Sequence, residues 1–141
     1  MSVRHSVRVL LLDDDDRLLL FRGDDPDTGA PFWFPAGGGL EDGEDVLTAA
    51  ARELAEETGL VDIPLGPEVW RRRHVFTWRG VEWDQRERWF MARVRHFEPD
   101  GRAMSATEKA DLKAWCRSAT DPLYFMKYAY LPTTTRLLAP L

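Results

Sequence analysis

One stretch of this chain reads clearly as helix, and β-rich runs stand on both sides of it. Residues 44–58, EDVLTAAARELAEET, follow Asp42-Gly43 and stop at Gly59, where a left-handed C-terminal cap belongs. Upstream, Val7–Leu12 and Leu18–Arg22 form a hairpin around the polar turn Asp13–Asp16, which lacks the glycine and terminal glutamate of a calcium loop. Gly23–Pro31 is a loop, and Phe32–Phe34 is a short strand stopped by Pro35 and Gly37–Gly39. Downstream, Val69–Trp78 and Val81–Val94 make a longer meander around an Arg-Gly turn, followed by a short strand near Trp115. A helix with one apolar side and strands of this number predict an α/β fold.

The helix is unusual in its charges. Glu53, Glu56 and Glu57 fall within five consecutive residues, and no Lys or Arg follows within the next turn. At about 100° per residue the three share one face, where like charges at i,i+3 and i,i+4 repel. Ala49 lies on that face and leaves space there, Arg52 stands at its edge, and Leu47, Ala50, Ala51 and Leu54 form the neighbouring apolar stripe. Hard dications such as Mg²⁺ are held by carboxylate oxygens, so a cation from outside the chain is one compensation. The charge pattern alone leaves a solvated acidic helix end as the other reading.

Composition narrows the partners. The chain has 141 residues, the length of one domain, and a net charge of −5. That balance argues against a large nucleic-acid partner, which usually calls for a basic surplus. No apolar run is long enough to span a bilayer, and the first residues read as a strand rather than a signal peptide. A single cysteine, Cys116, excludes an internal disulfide and fits a cytoplasmic location.

Spacing adds what charge does not. Gly38, Glu44, Arg52-Glu53-Leu54, Glu56-Glu57, Gly59 and Leu60 satisfy G-x5-E-x7-R-E-U-x-E-E-x-G-U, with U a bulky aliphatic. This pattern resembles the complete signature of the Nudix hydrolases, the MutT-like family, and WFPAGGG upstream resembles the segment that leads into it. The resemblance implies an α/β/α sandwich with a mixed central sheet, and a hydrolase that cleaves a nucleoside diphosphate linked to another group. Glu53, Glu56 and Glu57 would hold Mg²⁺ or Mn²⁺ with the carbonyl of Gly37 or Gly38. Glu53 would be the general base, Arg52 would steer it, and Glu44 would anchor Arg52. Some members add a carboxylate from a loop near the end of the sheet. Glu108 fits that position and Glu87 competes with it.

Substrate candidates are Arg71, Arg73 and His74 for phosphate and Trp78 for a base, with Trp33, Trp83 and Trp89 beside it. Alternating cations are also the wet face of a strand, and large aromatics are also core. The proline carried by ADP-ribose hydrolases is missing at Val75-Phe76, as is the tyrosine of dinucleoside polyphosphate hydrolases. A nucleoside triphosphate or a nucleotide sugar remains as substrate, and a nucleotide-binding module that does not cleave is the alternative. The single domain departs from the family after about Cys116. Its tail, broken by Pro122, Pro132 and Pro140, is expected to lie irregularly against the sheet or against a second copy of the chain in a homodimer.

Overall fold

β1 (Ser2–Leu12) is the axis of the molecule, because three other strands use its two edges. The computed structural model describes residues 1–14, 17–95, 112–118 and 135–137. The remaining elements are β2 (Leu18–Asp24), β3 (Pro31–Phe34), β4 (Ala36–Gly39), α1 (Val46–Thr58), β5 (Glu68–Trp78), β6 (Val81–Arg93), β7 (Leu112–Ser118) and β8 (Thr135–Leu137). The strands form one sheet in the order β3-β2-β1-β6-β5-β8, with β4 also on β1 and β7 also on β2. β1 runs parallel to β6 and every other pair is antiparallel, so the sheet is mixed as expected.

Alternation along β1 sends residues to two separate cores. Val7, Val9 and Leu11 pack with Phe21, Phe90 and the helix residues Ala49, Ala50 and Leu54. Leu10 and Leu12 point the other way, onto Leu18, Leu20, Val69, Trp70 and Trp89. Burial on both faces explains why the strand reads as a near-continuous apolar run rather than a polar alternation. Each such Val or Leu contributes about 1.5–3 kcal/mol relative to exposure. α1 covers one face, and it is the only helix among the described residues. The second helical layer of the expected sandwich is not among them.

The helix opens two residues later than its sequence limits suggest. Asp45, extended at φ −81°, caps it by accepting from the Thr48 amide at 2.8 Å, and Gly59 closes it at φ 78°. The buried stripe is rotated toward the acids. Ala49 is buried with Ala50 and Leu54, while Leu47 is 54% exposed and Ala51 is exposed. Leu47 and Ala51 instead line a hollow with Leu60, Ile63 and Leu65. The rotation carries Glu57 into the interior, at 6% exposure.

Three further expectations change. Gly37–Gly39 belong to a strand, β4, which pairs antiparallel with β1. Gly37 sits at φ 136°, and a Cβ there would come within 2.1 Å of the Val7 carbonyl oxygen, so only glycine permits the approach. The Asp13–Asp16 turn is not wholly solvated, since buried Asp13 accepts from the Arg17 amide and Nε at 2.9 and 2.8 Å. In the tail, the expected strand near Trp115 is β7 and includes Cys116, while Thr135–Leu137 is a strand on β5 rather than irregular chain. Its β-branched threonine suits a strand, and three residues are too few to show a period. Glu108 and the rest of the tail lie outside the described residues.

Candidate functional site

The glycine strand β4 and the helix α1 meet at two carboxylates. Glu57 Oε1 accepts from the Gly37 amide at 2.7 Å, which ties β4 to the helix. Glu53 lies directly over Gly38, where a Cβ would stand 2.4 Å from Glu53 Oε1. Gly37 is required by backbone geometry, whereas a side chain at position 38 would displace the Glu53 carboxylate.

Arg52 is the hub on the solvent side. Its Nε and Nη2 donate to the two Glu44 oxygens at 2.9 Å each, Nη2 also donates to the Gly39 carbonyl at 3.0 Å, and Nη1 donates to Glu53 Oε1 at 3.0 Å. Glu56 and Glu41 stand 3.5 and 3.8 Å from the same guanidinium. Charge-assisted forks of this kind set orientation as well as energy. The Arg52 hydrogen bond, and next the Glu41 amide, hold the Glu44 carboxyl down at about 2. Glu44 in turn raises the affinity of Arg52 for its proton. The structure thus brings Glu44, Arg52, Glu53, Glu56, Glu57, Gly37 and Gly38 into one cluster.

A hard dication such as Mg²⁺ calls for oxygen donors, and this cluster consists of them: three carboxylates on one helical face beside a strand of glycine carbonyls. Their present arrangement is not convergent. Glu53 and Glu56 turn toward Arg52 while Glu57 turns toward Gly37, and no three His, Cys, Asp or Glu side chains among the described residues gather at one point. The donor chemistry fits a cation, which these carboxylates would have to turn to reach.

Beneath the glycine strand lies a second charged group, on the sheet face opposite α1. Arg8 donates through Nη1 to the Gly37 carbonyl at 3.1 Å and to that of Pro35 at 3.4 Å. Its Nε meets Glu87 Oε2 at 3.4 Å, and Glu87 Oε1 meets Arg72 Nε at 3.3 Å. All three side chains are nearly or fully buried. Glu87 is committed to these arginines and is turned away from the helix, so the structure does not join it to the glutamate face. Neither Arg8 nor Arg72 emerged from sequence spacing. The available signal was a lone arginine inside the apolar run VRVLLL.

The RRRH segment does not make one cationic patch. Period-two alternation separates Arg71 and Arg73 from Arg72 and His74. Arg71 pairs with Glu68, and Arg73 donates to Asp84 at 2.8 and 3.1 Å. Arg88, first, and then Arg71 hold the Glu68 carboxyl at about 2. His74 stacks on Phe76 with centroids 5.1 Å apart, and burial, aided by the Arg72 charge, lowers its affinity for a proton. Trp89 is fully buried against Trp70 at 4.9 Å and serves the core, whereas Trp78 and Trp83 are half-buried.

With this geometry in hand, similarity to known proteins is informative. The profile of the NUDIX domain matches residues 3–129. An RNA pyrophosphohydrolase from Dinoroseobacter shibae is 38% identical over 114 residues, covering 71% of this chain and 68% of that protein. Nudix hydrolase 25 of Arabidopsis thaliana is 37% identical over 90 residues, 56% of this chain and 51% of that one. Among solved structures, the MutT protein of Methanosarcina mazei superposes with a TM-score of 0.66 at 20% identity, covering 93% of this chain and 86% of that one.

Proposed function

The chain belongs to the NUDIX domain family as a pyrophosphohydrolase, and on that premise we propose that it uses Mg²⁺ or Mn²⁺ to cleave the diphosphate linkage of a nucleotide 5′-triphosphate by attack of water on phosphorus. The observation that carries the reading is the continuous set of contacts from Glu44 through Arg52 to Glu53, set against Gly38. It places one carboxylate under the control of a fixed guanidinium beside two further carboxylates on the same helix.

Glu53, Glu56 and Glu57 hold the cation in this reading, with a glycine carbonyl of β4. When bound, the cation offsets phosphate charge and makes water more acidic. Glu53 accepts the proton of the attacking water, and Arg52 fixes which of its oxygens faces outward. Glu44 keeps Arg52 in place. Glu108, which lies outside the described residues, is proposed as a further carboxylate. Among the described residues no helix is long and apolar enough to cross a membrane, and a cytoplasmic location is part of the proposal.

The RNA pyrophosphohydrolase activity of the Dinoroseobacter relative favours a 5′-triphosphate, borne by a free nucleotide or by the end of an RNA, over a nucleotide sugar. A net charge of −5 suits recognition of a terminal phosphate group better than of a long backbone. Product analysis with nucleoside triphosphates, nucleotide sugars and a 5′-triphosphorylated oligoribonucleotide, at millimolar Mg²⁺ with and without chelator, tests the proposal. Chelator-sensitive release of pyrophosphate or phosphate from the triphosphates supports it. Turnover of nucleotide sugars alone overturns the substrate class. Tight binding of every nucleotide with no product favours the binding-module alternative.

A further inference from the structure

Gly37 is gripped at both of its polar groups by charged side chains arriving from opposite directions. Its amide donates to Glu57 of α1, and its carbonyl accepts from Arg8 of β1. Its backbone conformation, φ 136°, is one that only glycine adopts readily, so the peptide relies on its partners to stay there. Arg8 is itself held by Glu87, which also carries Arg72. Placing two guanidiniums and one carboxylate inside a sheet is costly, and an apolar trio of similar volume is often at least as stable. Position 8, between Val7 and Val9, is where such an apolar residue is expected. The buried charges therefore point to a task other than stability.

We propose that Glu87, acting through Arg8, is a positioning residue that sets the Gly37 peptide and with it the affinity of the glutamate face for its dication. The inference rests on the metal-dependent reading above. Two physical effects carry it. Arg8 Nη1 holds the Pro35 and Gly37 carbonyls, which flank the Ala36–Gly37 peptide, so its release loosens that peptide and Glu57 then loses the amide that aims its carboxylate. Loss of the Glu87 charge also removes the carboxylate between two guanidiniums behind the glycine strand, which makes the field there more positive toward an arriving dication. Glu87 thus acts on the cation site from the opposite face of the sheet without touching the reacting atoms.

Calorimetric titration of Mn²⁺ into the full chain without nucleotide, paired with kinetics at saturating Mn²⁺, tests this. Glu87→Gln is expected to weaken Mn²⁺ binding by about 10–100-fold, the usual range for groups that hold a metal ligand in place. The larger loss should fall on the Mn²⁺ constant and the smaller on kcat. Arg8→Lys, which keeps the charge but not the fork, should fall between parent and Glu87→Gln. A purely structural role would lower the melting temperature and leave the Mn²⁺ constant of the folded variant at the parent value, which overturns the proposal. If Glu87→Gln does not fold, the double variant Arg8→Met with Glu87→Met keeps the buried charge balance. A folded double variant that binds Mn²⁺ as tightly as the parent overturns the proposal equally, and weakened binding supports it. A parent chain that takes up no Mn²⁺ overturns the metal reading together with this one, whereas parent-like variants overturn this one alone.

Discussion

Two arginines approach the glycine strand from opposite sides of the sheet, and the chain treats them in opposite ways. Arg52, with about a quarter of its side chain exposed, faces Glu41, Glu44, Glu53 and Glu56. Arg8, almost buried, shares one carboxylate, Glu87, with a second arginine. Among the described residues, four carboxylates surround one guanidinium in the outer region and two guanidiniums flank one carboxylate in the inner one. Water screens the outer surplus, so a helix tolerates it until a cation arrives. Nothing screens the inner one, so its charges must be matched closely to backbone carbonyls and to each other. The outer region is thus suited to exchange its counter-charge, and the inner region to keep it.

Perturbing each side separately sharpens this contrast. The largest effect is expected from Glu53→Gln, which keeps shape and removes a proton acceptor, at a loss of about 10²–10⁴-fold in turnover with the melting temperature preserved. Parent-like rates in that variant would take Glu53 out of the mechanism. Next, millimolar Mn²⁺ or Mg²⁺ without nucleotide should raise the melting temperature, by an amount equivalent to about 2.7 kcal/mol when the ion stands at a hundred times its Kd. A melting curve indifferent to both ions returns the glutamates to the status of a solvated helix end. Arg52→Lys should lower kcat/KM by about 10–100-fold, since an ammonium cannot serve Glu44, Gly39 and Glu53 together. Retention of full activity would show that the outer contacts are ornamental.

The smallest effect concerns acid. Glu44 and Glu68 both titrate near 2, below the ordinary carboxylate value of 4.5, because arginines hold their charged forms. Folding therefore depresses both, and their contribution is present above about pH 4.5 and lost as pH falls toward 2. Melting temperatures of the parent chain should drop between pH 5 and pH 2.5. Glu44→Gln and Glu68→Gln should each flatten that drop. Identical slopes in parent and variants would remove both carboxylates from the acid response.

The outer region was legible in the sequence because its parts are close together on one helix. Glu53, Glu56 and Glu57 fall on one face by spacing alone, and Gly59 marks the C-terminal bound, whereas the N-terminal cap, Asp45, lies inside the span that reads as helix. β4 was hidden because glycines carry no side chains to show an alternation. The rotation of the helix stripe was hidden for a related reason: Ala49 and Ala51 are identical in chemistry, and only packing distinguishes them. The inner cluster left almost no trace, since Arg8 and Glu87 lie 79 positions apart and nothing local links them. In RRRH, the alternation of Arg71 and Arg73 was visible as the wet face of a strand, but not the ion pairs to Glu68 and Asp84 that engage them.

The pairing of β1 with β6 has a kinetic consequence. Each β1 residue from Ser2 to Leu12 meets one from Trp83 to Arg93 at a constant offset, as Arg4 meets Gln85 81 positions later. The loop closed by this parallel pair contains β4 and α1, so the entropy of closing it opposes the step that completes the floor under them. Parallel strands so far apart join slowly. The hairpin of β5 and β6 is local and has no such delay. During refolding, α1 should gain its helical signal early, while the capacity to hold a dication should return only with the slow phase in which β1 inserts between β4 and β6.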